Sequence, residues 1–158
     1  MDKVRVLIAD DMEGIALQTK GALLKREDVE ILGIACNGEE EVKMINELNP
    51  DLVFTDNQMP KMNGIDVIEL IYNSDMERKP RFVLVTGDRD MTLFNRANKC
   101  QVVKILNKPF GGEQIIGALE DYINNPEYEV EEEKVEVAKE EKKEKKSFFE
   151  KLKNFLNS

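Results

Sequence analysis

The sequence predicts an α/β fold in which a doubly wound, five-stranded parallel sheet carries helices on both faces. Two observations predict it: five short apolar runs lie within the first 125 residues, and each is followed by a segment of helical periodicity. A strand followed by a helix, repeated five times, is typical of a parallel sheet, because each helix returns the chain to the end where the next strand begins. We therefore expect a (βα)5 sandwich of three layers.

The apolar runs mark the strands. The second, third and fourth runs are apolar almost throughout, which favours strands covered on both faces. The first and the last contain a charged residue, Arg5 and Lys104, which is tolerated near a sheet edge or a strand end. The five runs are residues 4–9, 31–35, 52–54, 82–85 and 101–106.

The last helix of the domain is the clearest. Its apolar residues, Ile115, Ile116, Leu119, Tyr122 and Ile123, follow the spacing i, i+1, i+4, i+7, i+8, which places them on one helix face. The following Asn-Asn-Pro at 124–126 ends the helix. Weaker periodicity predicts four more helices, at residues 12–25, 38–48, 64–72 and 88–98.

The composition changes after the globular part, so three regions are predicted: a domain at 1–125, a charged linker at 126–146 and a short amphipathic helix at 147–158. Residues 127–146 contain nine Glu and six Lys, which indicates a solvated segment, either disordered or a marginal charged helix. In the tail, apolar residues return at helical spacing, and Ser147 with Glu150 fits a capping box.

The overall charge excludes some classes of protein. A formal net charge of -9 argues against a nucleic-acid binder. The two cysteines are too few for a disulfide framework, no apolar stretch is long enough to span a membrane, and the N-terminus turns acidic before any signal-like run develops. We expect a soluble cytoplasmic protein.

Charged and polar residues stand where the predicted strands end. Asp10 and Asp11 follow the first strand, Asp56 the third and Thr86 the fourth, while Lys108 follows the fifth. Because ligands bind at the carboxyl ends of parallel strands, these side chains are expected to converge. Three carboxylates repel one another, and a divalent cation together with Lys108 would neutralise them. Oxygen ligands without His or Cys favour Mg²⁺.

Four motifs, IADDMEG, LVFTDNQMPKMNG, VLVTGD and NKPF, occur in this order, each at a strand end. Over residues 2–124 the sequence resembles the CheY-like receiver domain of bacterial two-component response regulators, which implies a flavodoxin-like fold. The resemblance implies that Asp56 is phosphorylated by a partner histidine kinase. It further implies that Lys108 pairs with Asp56, and that Thr86 is the switch hydroxyl that binds the phosphoryl group.

The resemblance also implies a Mg²⁺ site. Asp11 would bind the ion directly, Asp10 largely through water, and the Gln58 backbone carbonyl and Asp56 would complete the protein ligands. The sequence departs from the family at Ile105, where an aromatic residue usually moves inward with the switch threonine. This departure puts the usual readout at that face in doubt, but it leaves the chemistry at Asp56 unaffected.

The function expected from these features is that of a single-domain response regulator rather than an enzyme, apart from phosphoryl transfer to Asp56 and hydrolysis from it. Its partners would be a histidine kinase or histidine phosphotransfer protein and an unknown downstream protein. The chain has no histidine of its own to carry the phosphoryl group. Two alternatives stay open: a phosphotransfer intermediate of a phosphorelay, and a receiver-fold adaptor that is never phosphorylated.

The tail has several interpretations. Its apolar face could dock on a partner protein in helix-in-groove fashion. It could also make a peripheral contact with the inner face of the membrane through 147–158, because six lysines between 142 and 153 flank that face. Self-association and docking within the chain are further possibilities.

Overall fold

The structure is a computed structural model that describes residues 2–130 and 132–157, and the side chains of these residues other than those of 132–139. Five strands and five helices alternate, and a sixth helix follows. In chain order they are β1 Val4–Ala9, α1 Glu13–Leu23, β2 Val29–Ala35, α2 Gly38–Leu48, β3 Leu52–Asp56, α3 Gly64–Tyr72, β4 Arg81–Thr86, α4 Met91–Lys99, β5 Lys104–Asn107, α5 Gly112–Asn124 and α6 Glu132–Leu156.

The predicted doubly wound sheet is confirmed. All strand pairs are parallel and the strand order is β2-β1-β3-β4-β5, so the order reverses beside β1. Successive residues of a strand point to opposite faces, and β1 shows the consequence. Val6 and Ile8 pack towards α1 and α5, whereas Leu7 packs towards α2, α3 and α4. One hydrophobic core therefore lies on each face of the sheet, and the three layers are the sheet and the two groups of helices that cover it.

The position of β2 corrects one expectation, whereas the position of Arg5 in β1 agrees with another. β2 is an edge strand and its middle residues are only half-buried, although its sequence is apolar almost throughout. β1 lies between β2 and β3, and its charged residue, Arg5, is the second residue of the strand, near a strand end as expected. The Arg5 guanidinium donates hydrogen bonds of 2.8 Å to the carbonyls of Leu48 and Asn49 at the end of α2. A charge at the start of an internal strand is thus accommodated by helix carbonyls that lack partners.

The fifth strand begins later than its apolar run. β5 starts at Lys104, three residues after the predicted start. Gln101 has a φ of 55°, and Val102 donates its N–H to the carbonyl of Ala97. Residues 101–103 therefore form the turn after α4, and the side chains of Val102 and Val103 pack against the hydrophobic cores from this loop.

The charged segment is helical in the structure. α6 runs from Glu132 to Leu156, through the predicted linker and the predicted tail helix. Ser147 and Glu150 therefore lie inside a helix, and the capping box predicted for them is wrong. The helix can continue because the sequence has no Gly or Pro between Glu127 and Asn157, and Glu141 and Lys145 have the i, i+4 spacing that favours a helix.

The chain divides into two compact units, residues 1–127 and 128–158. The separate roles of 126–146 and 147–158 stay a prediction. None of the helices in the described part of the chain has both the length and the hydropathy of a membrane span.

Candidate phosphorylation site

The predicted site residues lie at one rim of the sheet. Asp10 directly follows β1, Asp56 is the last residue of β3, Thr86 is the last residue of β4, and Lys108 directly follows β5. Because all five strands are parallel, their carboxyl ends share this rim. The register pairs Asp56 with Val85 and Thr86 with Asn107, so the third, fourth and fifth strands present these positions side by side.

Three carboxylates form a cluster at the rim. One carboxylate oxygen from each of Asp10, Asp11 and Asp56 lies within 4.8 Å of the other two. Asp10 and Asp56 are buried, whereas Asp11 is exposed. The Met12 backbone N–H donates a 2.9 Å hydrogen bond to Asp10 Oδ1, which orients that carboxylate. The cluster is thus held by a backbone hydrogen bond at Asp10 and is open to solvent at Asp11.

The cluster is short of positive charge. Burial, with the Asp10 carboxylate adding to it, raises the pKa of Asp56 to about 6, and Lys108 acts in the opposite direction. Burial likewise raises the pKa of Asp10, although the Met12 N–H and Lys108 favour its charged form. Raised pKa values mean that the neighbouring cation does not fully compensate for desolvation and like-charge repulsion.

Lys108 is the cation beside Asp56. Its Nζ lies 3.3 Å from Asp56 Oδ1, and its backbone N–H donates a 2.9 Å hydrogen bond to the Thr86 carbonyl. The Lys108–Pro109 peptide bond is cis. Backbone pairing to β4 therefore fixes the point from which the lysine side chain reaches across to the end of β3.

The polar residues next to this pair form a short chain of hydrogen bonds. Thr86 Oγ1 accepts a 2.9 Å hydrogen bond from the Asp88 backbone N–H. Asp88 Oδ2 in turn accepts one of 3.1 Å from Gln58 Nε2. These two hydrogen bonds connect the Thr86 hydroxyl at the rim to the loop after β4.

Ile105 is half-buried and packs against the core on the α3 and α4 side.

Asn57 is a site residue that sequence reasoning missed. Its backbone N–H donates to the Val85 carbonyl at 2.8 Å, and its carbonyl accepts from Gly64 N–H at 2.9 Å. Its side-chain Oδ1 accepts from Ile65 N–H at 3.1 Å. The residue after Asp56 therefore ties the β3–α3 loop to β4 and to the start of α3. A polar residue that directly follows a buried strand was the available signal.

A buried acid lies beneath the site and was also missed. Glu41 of α2 is fully buried, with Oε2 and Thr55 Oγ1 joined by a 2.9 Å hydrogen bond, and its Oε1 has no partner among the described residues. Burial raises the pKa of Glu41 to about 8, against the effect of the Thr55 hydrogen bond. Glu41 stands four residues before the buried Ile45, and this helical spacing places both on one face.

The Glu41 carboxyl is thus mostly protonated at neutral pH. A protonated carboxyl donates its hydrogen to Thr55 Oγ1, and the single Thr55 hydrogen is then free for the Asp56 carbonyl, 3.3 Å away. The neutral acid therefore satisfies more of the buried polar atoms than its charged form can.

The cluster fits a hard divalent cation. The candidate ligands are carboxylate oxygens only, which suits Mg²⁺ better than a softer metal. The raised pKa values of Asp10 and Asp56 indicate that additional positive charge would be favourable here. The Gln58 backbone N–H forms a hydrogen bond with Asp56, and the role of the Gln58 carbonyl as a metal ligand stays a prediction.

Comparison with known proteins agrees with this geometry. The family model for the response regulator receiver domain matches residues 6–120. The chain is 36% identical over 115 residues to the chemotaxis protein CheY of Thermotoga maritima, and the match covers 73% of this chain and 93% of that protein. It is 34% identical over 125 residues to protein-glutamate methylesterase/protein-glutamine glutaminase 3 of Geobacter sulfurreducens, covering 77% of this chain but 32% of that longer protein.

A solved structure gives the same fold. The response regulator domain of Thermotoga maritima CheB superposes with a TM-score of 0.69 at 24% identity, covering 81% of this chain and 99% of that one. Together, the family match and the CheY relative establish that the chain belongs to the CheY-like response regulator receiver family of two-component systems.

Proposed function

We propose that this protein is a single-domain response regulator that accepts a phosphoryl group on Asp56 and signals through phosphorylation-dependent protein contacts. The donor would be a partner histidine kinase or a histidine phosphotransfer protein. The observation that carries the proposal is the Asp56 carboxylate itself, which lies 3.3 Å from Lys108 Nζ and within 4.8 Å of two further carboxylates at an open rim.

The residues support a simple transfer step. An Asp56 carboxylate oxygen attacks phosphorus, and the bond between phosphorus and the donor nitrogen breaks, leaving its electron pair on the donor imidazole. With a pKa of about 6, Asp56 is mostly ionised at neutral pH, so no general base has to remove a proton. Lys108, whose Nζ lies 3.3 Å from Asp56 Oδ1, would hold a phosphoryl oxygen once the charge leaves the Asp56 carboxylate.

Asp10, Asp11, Asp56 and the backbone carbonyl of Gln58 would hold the metal. A bound Mg²⁺ supplies charge stabilisation to the phosphoryl oxygens during transfer. The Thr86 hydroxyl, which accepts a hydrogen bond from the Asp88 N–H, would donate its own hydrogen to a phosphoryl oxygen after transfer. Ile105 would leave the readout at that face without the usual aromatic side chain.

Phosphorylation of Asp56 is the first test. We expect the intact mass of the protein to increase by one phosphoryl group after incubation with Mg²⁺ and acetyl phosphate. Asp56→Asn should abolish the increase, because a neutral amide of the same shape lacks the nucleophilic oxygen. Chelation of Mg²⁺ with EDTA should abolish it as well.

A matched control distinguishes phosphorylation of Asp56 from phosphorylation of another aspartate. Asp75 is exposed, and Asp75→Asn should be modified like the wild type. Equal modification of Asp56→Asn would assign the phosphoryl group to another residue. No modification of the wild type by acetyl phosphate or by any phosphorylated kinase would favour the adaptor that is never phosphorylated.

Metal binding can be measured by its effect on the free energy of unfolding. Mg²⁺ at about ten times its dissociation constant should raise the free energy of unfolding by about 1.4 kcal/mol, because it binds only the folded carboxylate cluster. Asp11→Asn should remove most of this gain while leaving the metal-free protein folded, since Asp11 is exposed. Urea denaturation with and without Mg²⁺ measures both quantities. An equal gain in Asp11→Asn would show that the ion binds elsewhere.

The proposed setting is the cytoplasm, where the protein would meet its kinase, with α6 as the contact to a partner or to the inner face of the membrane. Transfer of the group from Asp56 to a second histidine protein would instead identify a phosphorelay intermediate. That outcome is measured by following phosphate from the protein to candidate histidine proteins.

A further inference from the structure

The last part of α6 exposes an apolar face. Its five large apolar side chains have exposed fractions between 42% and 76%. Their spacing of i, i+1, i+4, i+7, i+8 places them within one arc of the helix. The two adjacent phenylalanine rings meet edge to face, with centroids 6.4 Å apart. These side chains, called the aromatic face below, belong to Phe148, Phe149, Leu152, Phe155 and Leu156.

Positive charge borders the aromatic face on both sides. At about 100° per residue, Lys151 and Lys153 lie about 100° to either side of Leu152, whereas Glu150 lies about 160° away, on the opposite side of the helix. Both lysines are exposed. Lysines in such positions can extend their charged ends beyond an apolar surface while their stems pack against it.

The charge of this segment is opposite to that of the protein. Residues 142–157 contain six lysines and two glutamates, a formal net charge of +4, in a chain whose net charge is -9. A helix that packs in a protein groove needs apolar anchors, but it has no general need for cations along both borders. An anionic bilayer surface requires both features together: apolar side chains below the headgroups and cations at headgroup level.

We propose that the aromatic face binds the surface of an anionic lipid membrane, with the last part of α6, residues 147–156, lying in the plane of the interface and Lys151 and Lys153 at the level of the lipid phosphates. The proposal specifies the partner of α6 within the proposed function, but it does not require phosphorylation of Asp56. The upstream residues 127–141, with eight glutamates and two lysines, are repelled by the same surface. Binding is therefore expected to be reversible and sensitive to salt.

The test is flotation of the full-length, unphosphorylated protein with lipid vesicles. We expect it to float with vesicles made of equal parts phosphatidylglycerol and phosphatidylcholine, and to stay behind with phosphatidylcholine alone. Phe155→Ser should weaken binding by at least about tenfold, because it removes a large apolar group from the buried side. Lys151→Gln combined with Lys153→Gln should weaken it by about tenfold or more at low salt.

Asn154→Ser, on the polar side of the same helix, is the matched control and should bind like the wild type. Since the substituted side chains are exposed, each variant should keep its receiver fold, and acetyl phosphate labelling of Asp56 checks this. Three results would each overturn the proposal: no binding to the anionic vesicles, equal binding to both kinds of vesicle, and binding unaffected by Phe155→Ser.

Two further measurements distinguish membrane binding from self-association and from the phosphorylation proposal. Sedimentation that shows an oligomer in the wild type and a monomer in Phe155→Ser, without vesicle binding, would instead assign the aromatic face to a second copy of the chain. Asp56→Asn should float like the wild type, so a failure of the phosphorylation proposal would leave membrane binding intact.

Discussion

Glu41→Gln is expected to make the protein more stable than the wild type by about 4 to 5 kcal/mol at pH 9, while the two differ by about 1 kcal/mol or less at pH 5. In the unfolded chain Glu41 titrates near its ordinary pKa of 4.5, whereas burial raises its pKa to about 8 in the folded protein. Between these values the unfolded chain has lost a proton that the folded protein retains. Raising the pH through this interval therefore favours unfolding of the wild type.

Glutamine removes this penalty because it is neutral at every pH. It has nearly the shape of the protonated acid, and it can donate a hydrogen bond to Thr55 and accept one. The chain has no histidine, so no imidazole titrates in the same interval. Urea denaturation from pH 5 to pH 9 gives the difference between the two proteins, in which the titration of the other groups, Asp56 included, largely cancels.

Glu47 provides the matched control for this experiment. It is an exposed glutamate of the same helix, so Glu47→Gln should change the free energy of unfolding by no more than about 0.5 kcal/mol across the range. A constant difference between the wild type and Glu41→Gln at all pH values would contradict the buried, neutral state of Glu41.

Gly64→Ala should destabilise the protein by about 2 to 4 kcal/mol. A Cβ at this position would lie 2.3 Å from the Asp56 carbonyl oxygen and 2.9 Å from Thr55 Oγ1. The first neighbour is backbone and cannot rotate away, so the start of α3 has to move from the end of β3. That movement also strains the hydrogen bonds by which Asn57 holds Gly64 and Ile65.

Gly117→Ala is the matched control because the position is also helical and a Cβ there meets nothing within 4 Å. This substitution should stabilise the protein by about 0.5 to 1 kcal/mol, the usual difference between Gly and Ala inside a helix. Urea denaturation measures both variants. The rate of modification by acetyl phosphate, taken where Gly64→Ala is still folded, should fall in that variant and stay unchanged in Gly117→Ala. Equal stabilities of the two variants would show that α3 has room to shift.

The cluster at the rim could be anticipated because it depends on local signals. Asp10, Asp56, Thr86 and Lys108 each follow an apolar run, and parallel strands bring their carboxyl ends together whatever the details of packing. Strand order could not be anticipated in this way. The apolar composition of β2 suggested a strand covered on both faces. Its place in the sheet, however, depends on the directions in which α1 and α2 cross over, and the composition of a single strand does not determine those directions.

The two missed residues illustrate the same division. Glu41 stands in a run of three glutamates at the start of α2, where exposed acids that favour the helix N-terminus are common. Only the packing of α2 on β3 decides that one of the three is buried against Thr55. Asn57 likewise becomes a brace only after the folded sheet places Val85 and Ile65 within its reach.

By itself, the sequence determined the α/β class, the five alternating strands and helices, the acidic rim with its lysine, and the apolar face of the tail. These features follow from the periodicity and the order of residues that are close together in the sequence. The tertiary structure decided which strand lies at the edge, that Glu41 is buried, that Gly64 has no room for a side chain, and that Asp56 has a raised pKa. Each of these depends on distances between residues far apart in the chain, because desolvation and steric exclusion arise only when separate elements pack together.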